Sequence, residues 1–167
     1  NIPMRNTPMR NTSMRNKSMR NTSINIPLLA LLFLTDVAYS AEHKVQMLNS
    51  GAEGYMVFEP SVLKIEPGDS VTFVATDPAH NSASIKGMIP LGAAQWSGKL
   101  SEDVTVTFDK AGVYVYQCTP HAMMAMVGVI NVGNTKENLK TVKAAAAEKK
   151  ASFVMNKERL DTYLSLL

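Results

Sequence analysis

The 167 residues, 46% hydrophobic and 19% charged, are enough for one well-buried domain and too few for two sizeable ones. The formal charge of +3 does not mark a nucleic-acid binder. Arg5, Arg10, Arg15, Lys17 and Arg20 all precede residue 40, and from Ala41 onward 12 Lys plus Arg face 13 Asp plus Glu, a net of −1, so the high pI belongs to the leader and carries no nucleic-acid inference.

In chain order, residues 1–25 come first. Met4-Arg5-Asn6-Thr7-Pro8 is followed by near copies that open at Met9, Met14 and Met19. Such a repetitive, polar, basic stretch has nothing to bury and is predicted to be disordered. Translation from Met19 would leave a leader of ordinary length. Residues 26–40 then carry an apolar run from Ile26 to Leu34, far short of the roughly 20 residues that span a bilayer. Ala38-Tyr39-Ser40 supplies small residues at a cleavage point. Basic region, short apolar run and small-residue site predict a secretory signal, with Ala41 as the mature start, a periplasmic location and no membrane span in the mature chain.

Residues 41–133 read as short alternating runs broken by turn residues, the pattern of a mainly β sandwich. His43 to Leu48 alternates before Asn49-Ser50-Gly51, and Met56-Val57-Phe58 is closed by Glu59-Pro60. Pro67-Gly68-Asp69 is a turn signal between Val62–Ile65 and Val71–Ala75. Val104, Val106 and Phe108 share one face, with Thr105 and Thr107 on the other. Period-two geometry places Tyr114, Tyr116 and Cys118 on one face of the next strand, and Val127 to Val132 forms the last. Residues 134–167 are predicted to form two helices packed on the sandwich. The first has Asn134 and Glu137 as a capping box; the second is capped by Asn156 and buries Leu160, Tyr163, Leu164 and Leu167.

Cys118 is the only cysteine, so no intramolecular disulfide is possible. A lone thiol in an exported chain is inert, paired with another chain, or held by a metal. Its neighbours point to the metal. Cys118-Thr119-Pro120-His121-Ala122-Met123-Met124-Ala125-Met126 places a thiolate, an imidazole and thioethers in one loop. Two His, one Cys and a weak axial Met form a copper site suited to electron transfer, since soft sulfur with imidazole suits copper in both oxidation states. The second His is His80, in Asp77-Pro78-Ala79-His80-Asn81 just after a strand; His43 reads as an ordinary surface residue. Asn81 is placed to brace the ligand loop by hydrogen bonds near the sulfur. A zinc or copper storage module without a redox role would use the same Cys and two His. A cysteine hydrolase would need a separate base-orienting acid and a substrate cleft, for which there is no signal.

The order His-Asn, then Cys-x2-His-x4-Met, is that of the cupredoxins. With Met56 to Pro60, Ile85-Lys86-Gly87-Met88-Ile89-Pro90 and the helical tail, residues 41–167 resemble the pseudoazurin family. The resemblance implies a Greek-key β-sandwich of about eight strands with two C-terminal α-helices. It implies one type 1 (blue) copper per chain on His80, Cys118, His121 and Met126, and a soluble monomeric periplasmic electron carrier, not an enzyme. Its partners would be redox proteins, among them copper nitrite reductase in denitrification. Met124 gives the shorter spacing found in amicyanins and competes with Met126 for the axial place. Ser50, Pro78 and Gln117 stand where the family commonly carries lysines around the copper edge. The exposed edge of His121 is the expected electron port, ringed by Pro120, Met124 and Met56. Lys86 and Lys99, with Lys44 and Lys64, are the candidates for steering an acidic partner.

Overall fold

The computed structural model describes residues 40–134 and 136–167. The expected repetitive leader and apolar export run, with Ala38 and Tyr39 of the cleavage site, lie outside the described residues.

Among the described residues eight strands form two four-stranded sheets. They are β1 (Glu42–Gly51), β2 (Gly54–Glu59), β3 (Val62–Ile65), β4 (Ser70–Val74), β5 (Ala83–Ser84), β6 (Val104–Thr107), β7 (Gly112–Gln117) and β8 (Val127–Val132). The orders are β2-β1-β4-β6 and β3-β8-β7-β5. β1 runs parallel to β4 and β3 parallel to β8, while the other pairs are antiparallel. The chain therefore crosses between sheets, as the resemblance to a Greek-key sandwich implied.

The alternation predicted for β7 decides how the molecule is layered. Tyr114 and Tyr116, with Cys118 just beyond the strand, join Val45, Met47, Phe58, Phe73 and Ile130 in the core between the sheets. Val113 and Val115 face the other way, into a second core with Val127 and Val129. Four valines on an outer sheet face would cost roughly 1.5–3 kcal/mol each if left in water. Helices α1 (Leu139–Lys150) and α2 (Arg159–Ser165) cover them with Val142, Ala146, Leu160 and Leu164. Close packing in the inner core depends on Gly128, which lies opposite Tyr116. A Cβ there would sit 2.3 Å from the tyrosine hydroxyl.

The helices exist as predicted, but their starts differ. Asn134 does not cap α1: Asn138 occupies the N-cap, and its side chain donates to Val113 O at 2.7 Å and accepts from Val113 N at 2.8 Å. Asn138 thereby stitches the helix to β7. Asn156 likewise does not cap α2, whose N-cap is Glu158; it reaches the Cys118 loop, as described below. Among the described residues no helix is long and apolar enough to cross a membrane.

Candidate metal centre

The site forms where two loops meet at one end of the sandwich. β7 ends at Gln117, and Cys118 continues its inward face. The chain then makes a single 3-10 turn over Ala122–Met124 and reverses through Ala125, at φ 57°. Cys118 N donates to Met126 O at 2.9 Å and Met126 N to His121 O at 3.3 Å, closing the loop on β8. The second loop, after β4, turns at Ala79 (φ 66°) and is pinned by Ala79 N to Ser101 Oγ at 2.8 Å and Ser101 N to His80 O at 2.8 Å. A non-glycine residue in this left-handed region costs about 1–3 kcal/mol. Both ligand loops carry one, so the surrounding bonds hold them against their own preference.

These loops bring His80, Cys118 and His121 together, with one ligand atom of each lying within 4.8 Å of the others. Cys118 Sγ is 3.6 Å from His80 Nδ1 and 3.3 Å from His121 Nδ1, and the two Nδ1 atoms are 3.1 Å apart. Both imidazoles thus turn the same nitrogen toward the sulfur. Met126 is fully buried in the core cluster that contains Cys118, whereas Met124 is only half-buried on the 3-10 turn. Of the two thioethers, Met126 is the one packed on the sulfur's side. His43 is remote: it sits at the start of β1 and pairs with Asp69 at 2.9 Å.

The surroundings tune each donor. His80 is 0% exposed, and burial lowers its pKa, the nearby His121 adding to the effect and Asp77 opposing it. Its Nε2 contacts Asn49 Oδ1 at 3.0 Å. Asn49 Oδ1 can only accept, so the proton is on Nε2 and Nδ1 keeps its lone pair, the neutral form a metal ligand needs. Burial pushes the Cys118 thiol up, while the backbone N–H groups of Asn81 and His121 donate to the sulfur and offset part of that effect. A bound cation would reverse the balance, because a coordinating thiol is deprotonated outright. The residues present fit copper: two imidazole nitrogens and a buried thiol converge in the same core region as a buried thioether, the donor set that copper favours.

Asn81 does what its position promised. Its Oδ1 accepts from Thr119 N at 2.8 Å, and its Nδ2 donates to Gly98 O at 3.0 Å and Thr119 Oγ1 at 3.2 Å, tying the His80 loop to the Cys118 loop. Two further supports were not legible in the sequence. Asn49 reads as an ordinary turn residue, yet it fixes the His80 tautomer. The segment after α1 clasps the loop from outside: Met123 O accepts from Val154 N at 2.8 Å, Met124 O from Asn156 Nδ2 at 3.3 Å and Ala125 O from Arg159 Nη1 at 3.1 Å. Arg159 also reaches Met56 O at 3.0 Å. Three successive carbonyls ahead of Met126 are therefore held by one stretch of the helical tail.

At the surface, His121 is half-buried and Thr119 and Pro120 are exposed, with Met123 at 59%. Met56, expected near that edge, is half-buried and packs against the inner core. Lys64 belongs elsewhere: it lines a cleft with His43 and Asp69. That cleft is at the opposite end of β1 from Asn49, about 20 Å away at strand rise, so Lys64 cannot ring the His121 edge.

Known proteins resemble this chain in sequence and in fold. Residues 45–133 match the copper binding proteins of the plastocyanin/azurin family. A pseudoazurin of Paracoccus pantotrophus is 43% identical over 136 residues, covering 81% of this chain and 90% of that protein. The crystal structure of pseudoazurin from Methylobacterium extorquens superposes with a TM-score of 0.66 at 41% identity, covering 75% of this chain and 98% of the other. Native pseudoazurin from Hyphomicrobium denitrificans gives 0.68 at 37% identity, again over 75% and 98%.

Proposed function

We propose a periplasmic electron-shuttle role for this chain, which belongs to the plastocyanin/azurin family of copper binding proteins and, within it, to the pseudoazurins. It is a type 1 copper electron-transfer protein with the cupredoxin fold, a carrier between redox partners and not an enzyme. Its copper is assigned to His80 Nδ1, Cys118 Sγ and His121 Nδ1, with Met126 as the weak fourth ligand. The single observation that carries the assignment is the convergence of those two Nδ1 atoms on one buried sulfur.

When bound, copper supplies a one-electron couple. The protein supplies a site that need not rearrange. His80 is locked by Asn49, Cys118 receives two backbone N–H bonds, and the loop from Met123 to Ala125 is clasped from outside, which would hold the donors in one arrangement as copper changes oxidation state. A hydrogen-bonded shell of this kind also governs affinity and potential. His121 alone among the three donors approaches the surface, and its edge is the path for an electron. The exposed Pro120 and Met123 beside it suit the small apolar patch of a transient redox contact, which buries less than about 1,200 Å².

Donation to a copper nitrite reductase is the proposed partner reaction, by a monomer acting in the periplasm after cleavage before Ala41. The deciding experiment is the visible spectrum of protein prepared with copper, with zinc and without metal. A blue form must appear with copper and bleach on addition of one reducing equivalent. A colourless, redox-silent copper protein, or preferential retention of zinc, would instead make this a storage module, since zinc has no d-electron transitions.

A further inference from the structure

Far from the ligand loops, two nitrogens meet one buried carboxylate. Asp69, 5% exposed, accepts from the backbone N–H of Ala41 on Oδ1 at 2.8 Å and contacts His43 Nε2 through Oδ2 at 2.9 Å. Glu66 N also donates to Oδ2, at 3.1 Å. The carboxyl is held below its usual pKa, first by His43 and then by these backbone bonds. Its Oδ2 engages Nε2 of the His43 ring, which leaves Nδ1 as the ring nitrogen that Asp69 does not touch. His43 keeps 27% of its side chain exposed.

Removal of the leader before Ala41, on which this inference rests, would change the chemistry of that corner. The Ala41 nitrogen becomes an α-amine and His43 becomes the third residue. An amine, the two following backbone nitrogens and the Nδ1 of a third-position histidine close three fused chelate rings in one plane, the tetragonal nitrogen field that Cu(II) and Ni(II) select. We propose that Ala41, Glu42 and His43 form a second, N-terminal site for Cu(II) or Ni(II), separate from the blue-copper centre.

The fold assists in two ways. Asp69 holds the Ala41 nitrogen and the His43 ring through the two oxygens of one carboxylate. It also accepts the hydrogen bond of Nε2–H of the prospective ligand, as outer carboxylates do for metal-bound histidines. The end of β1 is lightly held, since β2 pairs with it only from Gln46 onward and residues 42–45 have β4 alone. Binding peels the first residues from β4. The α-ammonium proton and the amide protons of Glu42 and His43 pass to water, four nitrogen–metal bonds form, and no electron is transferred. The site lies about 20 Å along β1 from Asn49, so it is occupied without disturbing the His80 cluster.

The test is titration of copper-loaded protein starting at Ala41 with Ni(II), read by the absorption of square-planar Ni(II) and by proton release. One diamagnetic Ni(II) per chain is expected, with the blue band unchanged. A chain that keeps Ser40 as its first residue, and His43→Gln, must each bind about a hundredfold more weakly or worse, because they break the linked chelate. Equal binding by all three, or a paramagnetic Ni(II) with no proton release, would overturn the site. A separate arm, the intact mass of exported protein, tests the processing: a start other than Ala41 removes both that reading and the site in the cell, whereas failure of Ni(II) binding by a chain that does start at Ala41 removes the site alone.

Discussion

His80 and His121 offer the same atom to the same sulfur, yet their loops hold them in opposite ways. His80 is sealed, with Asn49 on its outer nitrogen, and the loop around it is pinned to Ser101. His121 is half-buried and has no such partner among the described residues; the bonds in its loop go to the backbone on either side of it. One loop anchors the site and the other opens it. A carrier needs both properties, because a fully sealed centre cannot pass an electron and a fully open one would rearrange with each change of charge.

The most severe way to break this arrangement is to remove what the two loops share. Cys118→Ala is expected to abolish the visible band and all redox activity while the sandwich stays folded, as read by absorption and far-ultraviolet circular dichroism. The thiol adds little volume to a core built on Tyr116, Phe58 and Phe73. A blue Cys118→Ala protein would remove the site assignment altogether.

Next in size is the axial position. Met126→Gln replaces a soft thioether with a harder oxygen, which favours Cu(II) and lowers the reduction potential. Met124→Gln should move it far less, because Met124 lies on the half-buried turn. Voltammetry of the two variants decides, and the reverse ranking would give the axial place to Met124.

Anchoring itself is probed by Asn49→Ala. The buried His80 N–H loses its acceptor, a cost of about 1–3 kcal/mol, and the ring loses what fixes its tautomer. Copper affinity should fall about 10- to 100-fold in competition with a chelator. Unchanged affinity would mean that the pocket walls, not Asn49, orient the ring.

The smallest effect is expected far from both loops, at Asp69. Its carboxyl is held below the ordinary range by His43 and by two backbone N–H bonds. A depressed carboxylate adds stability that is complete above the unfolded value, about 3.9, and fades as pH falls through the lower folded value. Asp69→Asn should therefore lower the melting temperature near neutrality and flatten its decline in acid, leaving the blue spectrum unchanged. A variant with the wild-type acid slope would contradict that account.

The same contrast explains what could be read in the sequence. Local periodicity carried Tyr114, Tyr116 and Cys118 to one face of β7, and the residue types from Cys118 to Met126 carried the chemistry. Met126 was separable from Met124 only through family resemblance until burial distinguished them. Asn49 and Arg159 were invisible because their partners, His80 and the carbonyls of Met56 and Ala125, lie 31, 103 and 34 residues away. No local pattern encodes such bonds. Asn134 and Asn156 misled for the opposite reason: each had the local signature of a helix cap, and tertiary structure assigned the capping positions to Asn138 and Glu158.

Whether His121 is the open side is tested most directly by the second-order rate of electron transfer to a copper nitrite reductase, measured across ionic strength for wild type, Met124→Glu and Lys86→Gln. A charge on the turn beside His121 should slow transfer severalfold with the visible spectrum unchanged. Lys86→Gln should cost less, and the salt dependence should be shallow because Ser50, Pro78 and Gln117 carry no charge. Wild-type rates in both variants would place the electron port on another face.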